Sequence, residues 1–372
     1  MIEAFSGTYD GRPVLVTGHT GFKGSWLALW LIQLGAKVIG ISLDPPTEPS
    51  CFSACGIARD VIDLRHDIRD YDGLASAIER HRPQIVFHLA AQPIVRRAFI
   101  DPRATFEINV MGTVNVLEAA RRCPSVEAVL IATSDKSYRN VGWEWAYRET
   151  DPLGGHEPYG GSKACAEIVT EVYRDRKFQS NAQPPSAVAV ASARAGNVIG
   201  GGDWAADRLV PDIIRAIGAG RDVTIRNPHA TRPWQHVLDC LSGYLQLASQ
   251  LVHAPGRYEQ AWNFGPSGEN PLPVTDLVAR ILERWPDHAT RVVIEPDPPG
   301  KEAHELRVDS SKAIRHLGWR PCWSTMAALE ATVAWYYAHA HQVEKDMRGI
   351  GIEQIQDYTD EARKKGIAWA VQ

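Results

Sequence analysis

Val14-Leu-Val-Thr17-Gly18-His-Thr-Gly21-Phe-Lys-Gly24-Ser-Trp26 is the stretch on which the fold turns. A short apolar, β-branched run enters a loop of glycines spaced by threes, and the loop enters an apolar helical stretch, Ser25 to Leu34. Gly18 permits a tight turn, Gly21 lets the backbone approach a pyrophosphate, and Gly24 lets helix and strand pack closely. The unpaired N–H groups at the start of the helix then point at the anion. The spacing departs from the plain GxGxxG fingerprint, so the strand–turn–helix context carries the reading. No P-loop lysine-Ser/Thr pair follows, which disfavours a nucleoside triphosphatase.

Outward from this loop the chain alternates. Val38–Ser42, Ile85–Ala90, Ala128–Thr133 and Ala187–Ala193 read as further strands. Gly73–Arg82, Thr105–Arg122 and Tyr159–Phe178 carry helical spacing between them. Strands alternating with helices predict an α/β fold, a Rossmann-type doubly wound parallel sheet covered on both faces. The second half is more mixed. Leu209–Ala219, Asp276–Trp285 and Met326–His341 read as helices, and the charged chain from Glu344 onward as helical. Gly200–Asp203, Arg226–Pro233 and Gly265–Pro273 read as loops, and the proline-rich Pro286–Lys301 as extended.

Composition excludes several classes. A chain of 372 residues with 44% hydrophobic and 23% charged residues is globular, neither disordered nor fibrous. The net charge of −4 argues against a nucleic-acid binder. The six cysteines include no CxxC pair, which argues against structural zinc and for a reduced, cytoplasmic protein. Ser25–Leu34 is too short to cross a bilayer, which takes about 20 residues. Twelve tryptophans are the one unusual count.

The chemistry-bearing residues fall at predicted strand ends, where open parallel sheets bind ligands. Ser42 and Asp44 end the second strand, about 20 residues past the glycine loop, and either can hold an adenosine ribose. No Lys or Arg lies between Val38 and Cys51 to meet a 2′-phosphate, which favours NAD over NADP. Tyr159 and Lys163 are one helical turn apart and share a face. A nearby ammonium is expected to lower the phenol pKa and make Tyr159 a base. Ser134, at the end of the fourth predicted strand, can bond the hydroxyl that Tyr159 deprotonates. Asp135 and Lys136 add ionisable groups there, which suggests acid–base work beyond hydride transfer. His88 lies within a strand and reads as a core histidine; His339 and His341 point to different helix faces, and no metal is expected.

Together the glycine loop and Tyr159-Gly-Gly-Ser-Lys163 resemble the extended short-chain dehydrogenase/reductase family. Five segments narrow the resemblance to its nucleotide-sugar 4,6-dehydratases, and within them to the CDP-glucose type: Thr17–Trp26, His88–Arg96, Ser134–Lys136, Arg194–Trp204 and Arg232–Asp239. They span roughly residues 12 to 340. The resemblance implies dehydration of CDP-D-glucose to CDP-4-dehydro-6-deoxy-D-glucose on tightly bound NAD, feeding deoxysugar and surface-polysaccharide synthesis. Tyr159 would take the O4 proton, the C4 hydride would pass to NAD, and the C4 ketone would acidify C5–H. Asp135 would protonate the departing C6 hydroxyl, and the hydride would return to C6. Lys136 stands where related dehydratases carry glutamate, and two roles stay open for it, neutral C5 base or enolate-stabilising cation.

The same resemblance implies a cofactor set of Gly18, Thr20, Gly21, Phe22, Lys23, Gly24, Ser42, Asp44, Asp67, Ile68, Leu89, Ala90, Ala91, Thr133, Tyr159 and Lys163. Asp67 reads equally as a cap of the next helix. Substrate candidates are Gln92, Arg96, Asn197, Arg208, Arg232 and Arg307, the arginines as pyrophosphate donors. The implied domains interleave: residues 1–193 and 233–264 bind NAD, and residues 194–232 and 265–372 bind the nucleotide sugar. A homodimer or dimer of dimers is implied, through the helices Thr105–Arg122 and Tyr159–Phe178. Two rivals remain, a 4-epimerase, which needs no acid at Asp135, and a non-catalytic NAD sensor, which would have no use for Tyr159 and Lys163.

Overall fold

The computed structural model describes residues 2–371, apart from 184, 226–227, 229–230, 267–271, 286–289, 296–305 and 343–345. Seven parallel strands form the central sheet: β1 (Pro13–Thr17), β2 (Lys37–Ser42), β3 (Ile62–Arg65), β4 (Ile85–His88), β5 (Ala128–Ala132), β6 (Ala189–Ala195) and β7 (Ala261–Phe264). Their spatial order is β3-β2-β1-β4-β5-β6-β7. The order reverses between β1 and β4, and a crevice opens there beyond the carboxyl ends of the strands.

Helices cover both faces, as the near-continuous apolar strands require. One layer holds α1 (Phe22–Gln33), which packs on the sheet through Leu27 and Leu31 beside Val14, Val16 and Phe87. The opposite layer holds α2 (Tyr71–His81), α3 (Gly112–Arg122) and α4 (Pro158–Arg174). Here Leu74, Ile78, Val116 and Leu117 pack on Leu15, Ile39, Val86 and Val129. Adjacent strand residues therefore serve different layers, the two-residue period of a pleated strand. Two further helices complete the α1 side and the smaller region: α5 (Leu209–Gly218) and α6 (Val237–His253), the latter buried along most of its length. Short strand pairs stand apart from the main sheet: 198–199 with 235–236, 223–225 with 292–294, and 231–232 with 272–273. The chain continues through α7 (Val274–Glu283), α8 (Thr325–Ala340) and α9 (Met347–Lys364).

Several boundaries differ from the sequence reading. β3 and β7 were not expected as strands. The helix expected at Thr105 begins at Pro102, capped by Asp101, and runs through a π turn at Glu107–Met111 into α3. The helix expected to reach Phe178 breaks after Arg174, and Asp175 caps a new turn. Residues 347–371 cross to the α1 side: Trp369 stacks on Phe5 at 4.8 Å and Gly351 lies against Leu29. Six tryptophans, at 26, 30, 262, 319, 335 and 369, are fully buried and Trp234 and Trp285 nearly so, so eight of the twelve are core. No described helix is long and apolar enough to cross a membrane.

Candidate active site

The glycine loop closes the end of β1. Gly18 adopts φ +76°, and a Cβ there would stand 2.7 Å from the Ala90 nitrogen. A Cβ on Gly24 would stand 2.0 Å from the Gly18 carbonyl oxygen, so loop and helix meet only as glycines. Gly21 is the N-cap of α1 and supplies no side-chain cap. The helix start thus presents backbone N–H groups without a protein acceptor in the capping position, which fits a dinucleotide pyrophosphate. Phe22 and Lys23 form the first helical residues, and the Lys23 ammonium lies 3.8 Å from the Cys240 sulfur. Leu89, Ala90 and Ala91 follow β4 beside this cradle; the first two donate their N–H groups to Thr17.

At the end of β2 the Thr20 and Ser42 hydroxyls bond at 2.7 Å, while the Asp44 carboxylate is 91% exposed. Arg65, on β3, was missed in the sequence because it is remote in the chain. It lies 3.8 Å from Asp44, and Asp63 neutralises it at 2.8 Å. Asp67 does not cap α2; Asp70 does. Asp67 instead pairs with Arg69, whose guanidinium holds the carboxyl below its ordinary range. Ile68 is buried beneath Gly112. His88 bonds Thr17 and Thr113, and burial pushes its pKa down to about 3, so it is a neutral core histidine as expected.

The reactive constellation gathers where β5 ends and α4 begins. Ser134 caps a single turn, Asp135–Ser137, and its hydroxyl donates to Asp135 at 2.9 Å. Tyr159 and Lys163 enter from α4, which Glu157 caps by accepting from the Tyr159 and Gly160 N–H groups. Ser134 also lies near enough to the Tyr159 phenol to oppose the rise in its pKa. Ser134, Asp135, Tyr159 and Lys163 are all buried.

Electrostatics correct one expectation. Tyr159 is not depressed by Lys163. Burial pushes its pKa up to about 12, against opposing effects of the Ser134 hydrogen bond and the Arg208 charge. Lys163 is itself lowered to about 8, by burial first and then by the Lys23 charge, and it donates to the Ala132 carbonyl at 3.2 Å. Lys136 is exposed.

The substrate candidates divide. Arg208 precedes α5, pairs with Asp203 at 2.7 Å and acts on Tyr159, so it stands at the reactive centre. Asn197 is half-buried after β6. Arg96 reaches across to Asp207 at 2.8 Å. The Gln92 amide is committed internally: it donates to Thr105 and accepts from the Ile94 N–H. Arg307 is exposed, and its carbonyl accepts from the Tyr147 N–H. Arg232 pairs in register with Leu272, but its side chain falls outside the described residues. No metal-binding cluster occurs among the described residues.

Sequence reading also missed the buried pair Glu167–Arg194, at 2.7 Å behind this constellation. Its signal was present, since Glu167 lies one turn past Lys163 on the same face.

A glycine cradle at the switch point and a Ser–Tyr–Lys set at the neighbouring strand ends are the mark of the extended short-chain dehydrogenases/reductases, and the chain is one of these. More particularly, it belongs to the GDP-mannose 4,6 dehydratase family, whose profile matches residues 15–332. It is 44% identical to a CDP-glucose 4,6-dehydratase of Salmonella typhimurium over 351 residues, 94% of this chain and 97% of that relative. The fold is shared with a UDP-glucose 4-epimerase of Thermus thermophilus in complex with NAD (TM-score 0.72, 27% identity, 87% of this chain and 99% of that one). It is shared also with a dTDP-glucose 4,6-dehydratase of Streptomyces venezuelae with NAD bound (TM-score 0.73, 23% identity, 89% and 98%).

Proposed function

We propose that this chain is an NAD-dependent hydro-lyase that converts CDP-D-glucose to CDP-4-dehydro-6-deoxy-D-glucose. The observation that carries the reading is the buried Asp135 beside Ser134 and Tyr159. Hydride transfer alone needs no acid at that position, whereas loss of water from C6 does. The 44% identity to a CDP-glucose 4,6-dehydratase supports the nucleotide and the sugar.

The chain's residues divide the work. Ser134 holds the sugar O4 hydroxyl, and Tyr159 takes its proton once the nicotinamide cation of bound NAD joins the Arg208 charge and the Ser134 hydrogen bond in opposing the upward pull of burial on the phenol. Lys163 bonds the nicotinamide ribose. NAD bound in the cradle supplies the hydride acceptor at C4 and the donor at C6. Asp135 gives a proton to the C6 hydroxyl as water leaves. The C5 proton leaves to a base as water departs and returns to C5 once the hydride has reached C6; Lys136, exposed beside Asp135, either takes that proton as a neutral amine or faces the developing enolate as a cation while another group takes it. Arg208, Arg232 and Arg307 meet the pyrophosphate, with Asn197 beside it. Ser42 and Asp44 hold the adenosine ribose, and Asp67 and Ile68 border the adenine.

The domain division follows the same reading: residues 1–193 and 233–264 carry NAD, and 194–232 and 265–372 carry the nucleotide sugar. Six free cysteines support a reducing, cytoplasmic location. The product suits deoxysugar and surface-polysaccharide synthesis. A homodimer is supported by exposed apolar side chains on two adjacent helical segments: Phe99, Ile100, Phe106 and Met111 between residues 95 and 111, and Ile168 and Val172 on α4.

The test is incubation with CDP-, dTDP-, GDP- and UDP-glucose, with assay for the alkali-induced 4-keto chromophore. CDP-glucose should give the chromophore; a C4-epimer as sole product would sink the dehydratase reading.

A further inference from the structure

Behind the reactive groups lies a buried polar cluster that the proposed chemistry does not use. Glu167 is 1% exposed. It lies on α4 four residues beyond Lys163 and eight beyond Tyr159, along one face of the helix. Its carboxylate accepts from the Thr133 hydroxyl at the end of β5, from the Ser192 hydroxyl at 2.7 Å on β6, and from the Arg194 guanidinium at 2.7 Å. Burial alone would raise the Glu167 pKa, but Arg194 and the two hydroxyls hold it below its ordinary value, so it stays ionised. Arg194 extends the cluster. It donates to the Tyr138 hydroxyl at 2.8 Å and to the Glu149 carbonyl at 3.2 Å, with its guanidinium 4.8 Å over the Tyr138 ring. Thr133 directly precedes Ser134 and Asp135, and Tyr138 directly follows their turn.

One carboxylate therefore fastens the helix that brings Tyr159 and Lys163 to the strand end that brings Ser134 and Asp135. A buried ion pair seldom adds net stability over an apolar isostere, and fixing a geometry is the better reason for it. We propose that Glu167 is a positioning residue: its contacts to Thr133, Ser192 and Arg194 set the register between the O4 base on α4 and the acid at the end of β5, so that both act on one bound sugar. The inference rests on the dehydratase reading.

The experiment uses full-length enzyme carrying Glu167→Gln, Ser192→Ala, or the pair Glu167→Gln/Arg194→Met, which removes both charges. Steady-state kinetics on CDP-glucose are read beside Tm. Glu167→Gln should lower kcat about 100-fold, the cost of a misplacement near 1 Å, with KM within about twofold of wild type. Ser192→Ala strands no charge and should fold; it should lower kcat about two- to tenfold, on the order of one hydrogen bond. The double variant should regain Tm over Glu167→Gln without regaining kcat. Wild-type kcat in Ser192→Ala, or recovery of kcat together with Tm in the double variant, would overturn the proposal and leave Glu167 a stability residue. Wild type run alongside reads the underlying assignment separately: if it yields only an epimer, the dehydratase reading fails while the kcat comparison still tests Glu167.

Discussion

At the scale of single residues, the proposed mechanism divides two steps between Tyr159 and Asp135. Tyr159→Phe deletes the proposed O4 base but leaves the glycine cradle untouched. Turnover should fall by at least about 100-fold, the usual contribution of a positioned base, with NAD retained through gel filtration. Asp135→Asn keeps the shape and loses the acid. It should slow water elimination more than C4 oxidation, so reduction of the bound nicotinamide survives in absorbance while 4-keto product fails to appear. Wild-type turnover in that variant would remove Asp135 from the mechanism. These residues were legible in the sequence because each sits at a strand end or one helical turn from its partner. Burial was not legible. That Lys136 is exposed while Asp135 beside it is buried depends on how a single turn at residues 135–137 is aimed. Arg65 was hidden for another reason: it approaches Asp44 only because β3 pairs with β2.

Among elements, the long apolar strands and capped helices declared themselves, and the short or interrupted ones did not. β3 carries Asp63 and Arg65, is exposed at both ends and half-buried at its two central residues, and lacks a hydrophobic run. β7 places Asn263 in its centre, where tertiary bonds to Tyr138 and Tyr147 satisfy the amide. A buried carboxylate on α6 offers a prediction of this scale. Asp239 accepts from the Tyr358 hydroxyl and the Cys322 N–H, joining α6 to α9, and burial pushes its pKa up to about 6. Between the ordinary 3.8 and about 6 the unfolded chain releases this proton and the folded chain keeps it. The group thus subtracts stability as pH rises through that window, by about 3 kcal/mol in full. Asp239→Asn lacks this loss, so the Tm of the variant minus that of wild type should increase between pH 4 and pH 6. A constant difference across the window would refute the assignment.

For the whole molecule, the exposed apolar side chains near α4 carry the expectation of a dimer. Phe99 is 63% exposed and Ile168 53%. Ile168→Glu with Val172→Lys should shift the mass in light scattering from dimer to monomer at micromolar concentration while leaving Tm nearly unchanged below the dissociation range. A monomeric wild type would contradict the interface. The doubly wound class was readable from the alternation of strands and helices, but the path of the last helices was not, because their charged sequence gives no sign of the surface they cover.

That path bears on how the protein is made. The ring of Trp30 on α1 is enclosed by Phe5, Tyr358 and Trp369, so residues more than three hundred positions apart build one aromatic cluster. During synthesis the β1–α1 unit emerges long before α9 and would ordinarily settle first. Here its outer face stays uncovered until Tyr358 and Trp369 have been made. The newborn β1–α1 unit therefore carries an open tryptophan surface until the helices that cover it are made.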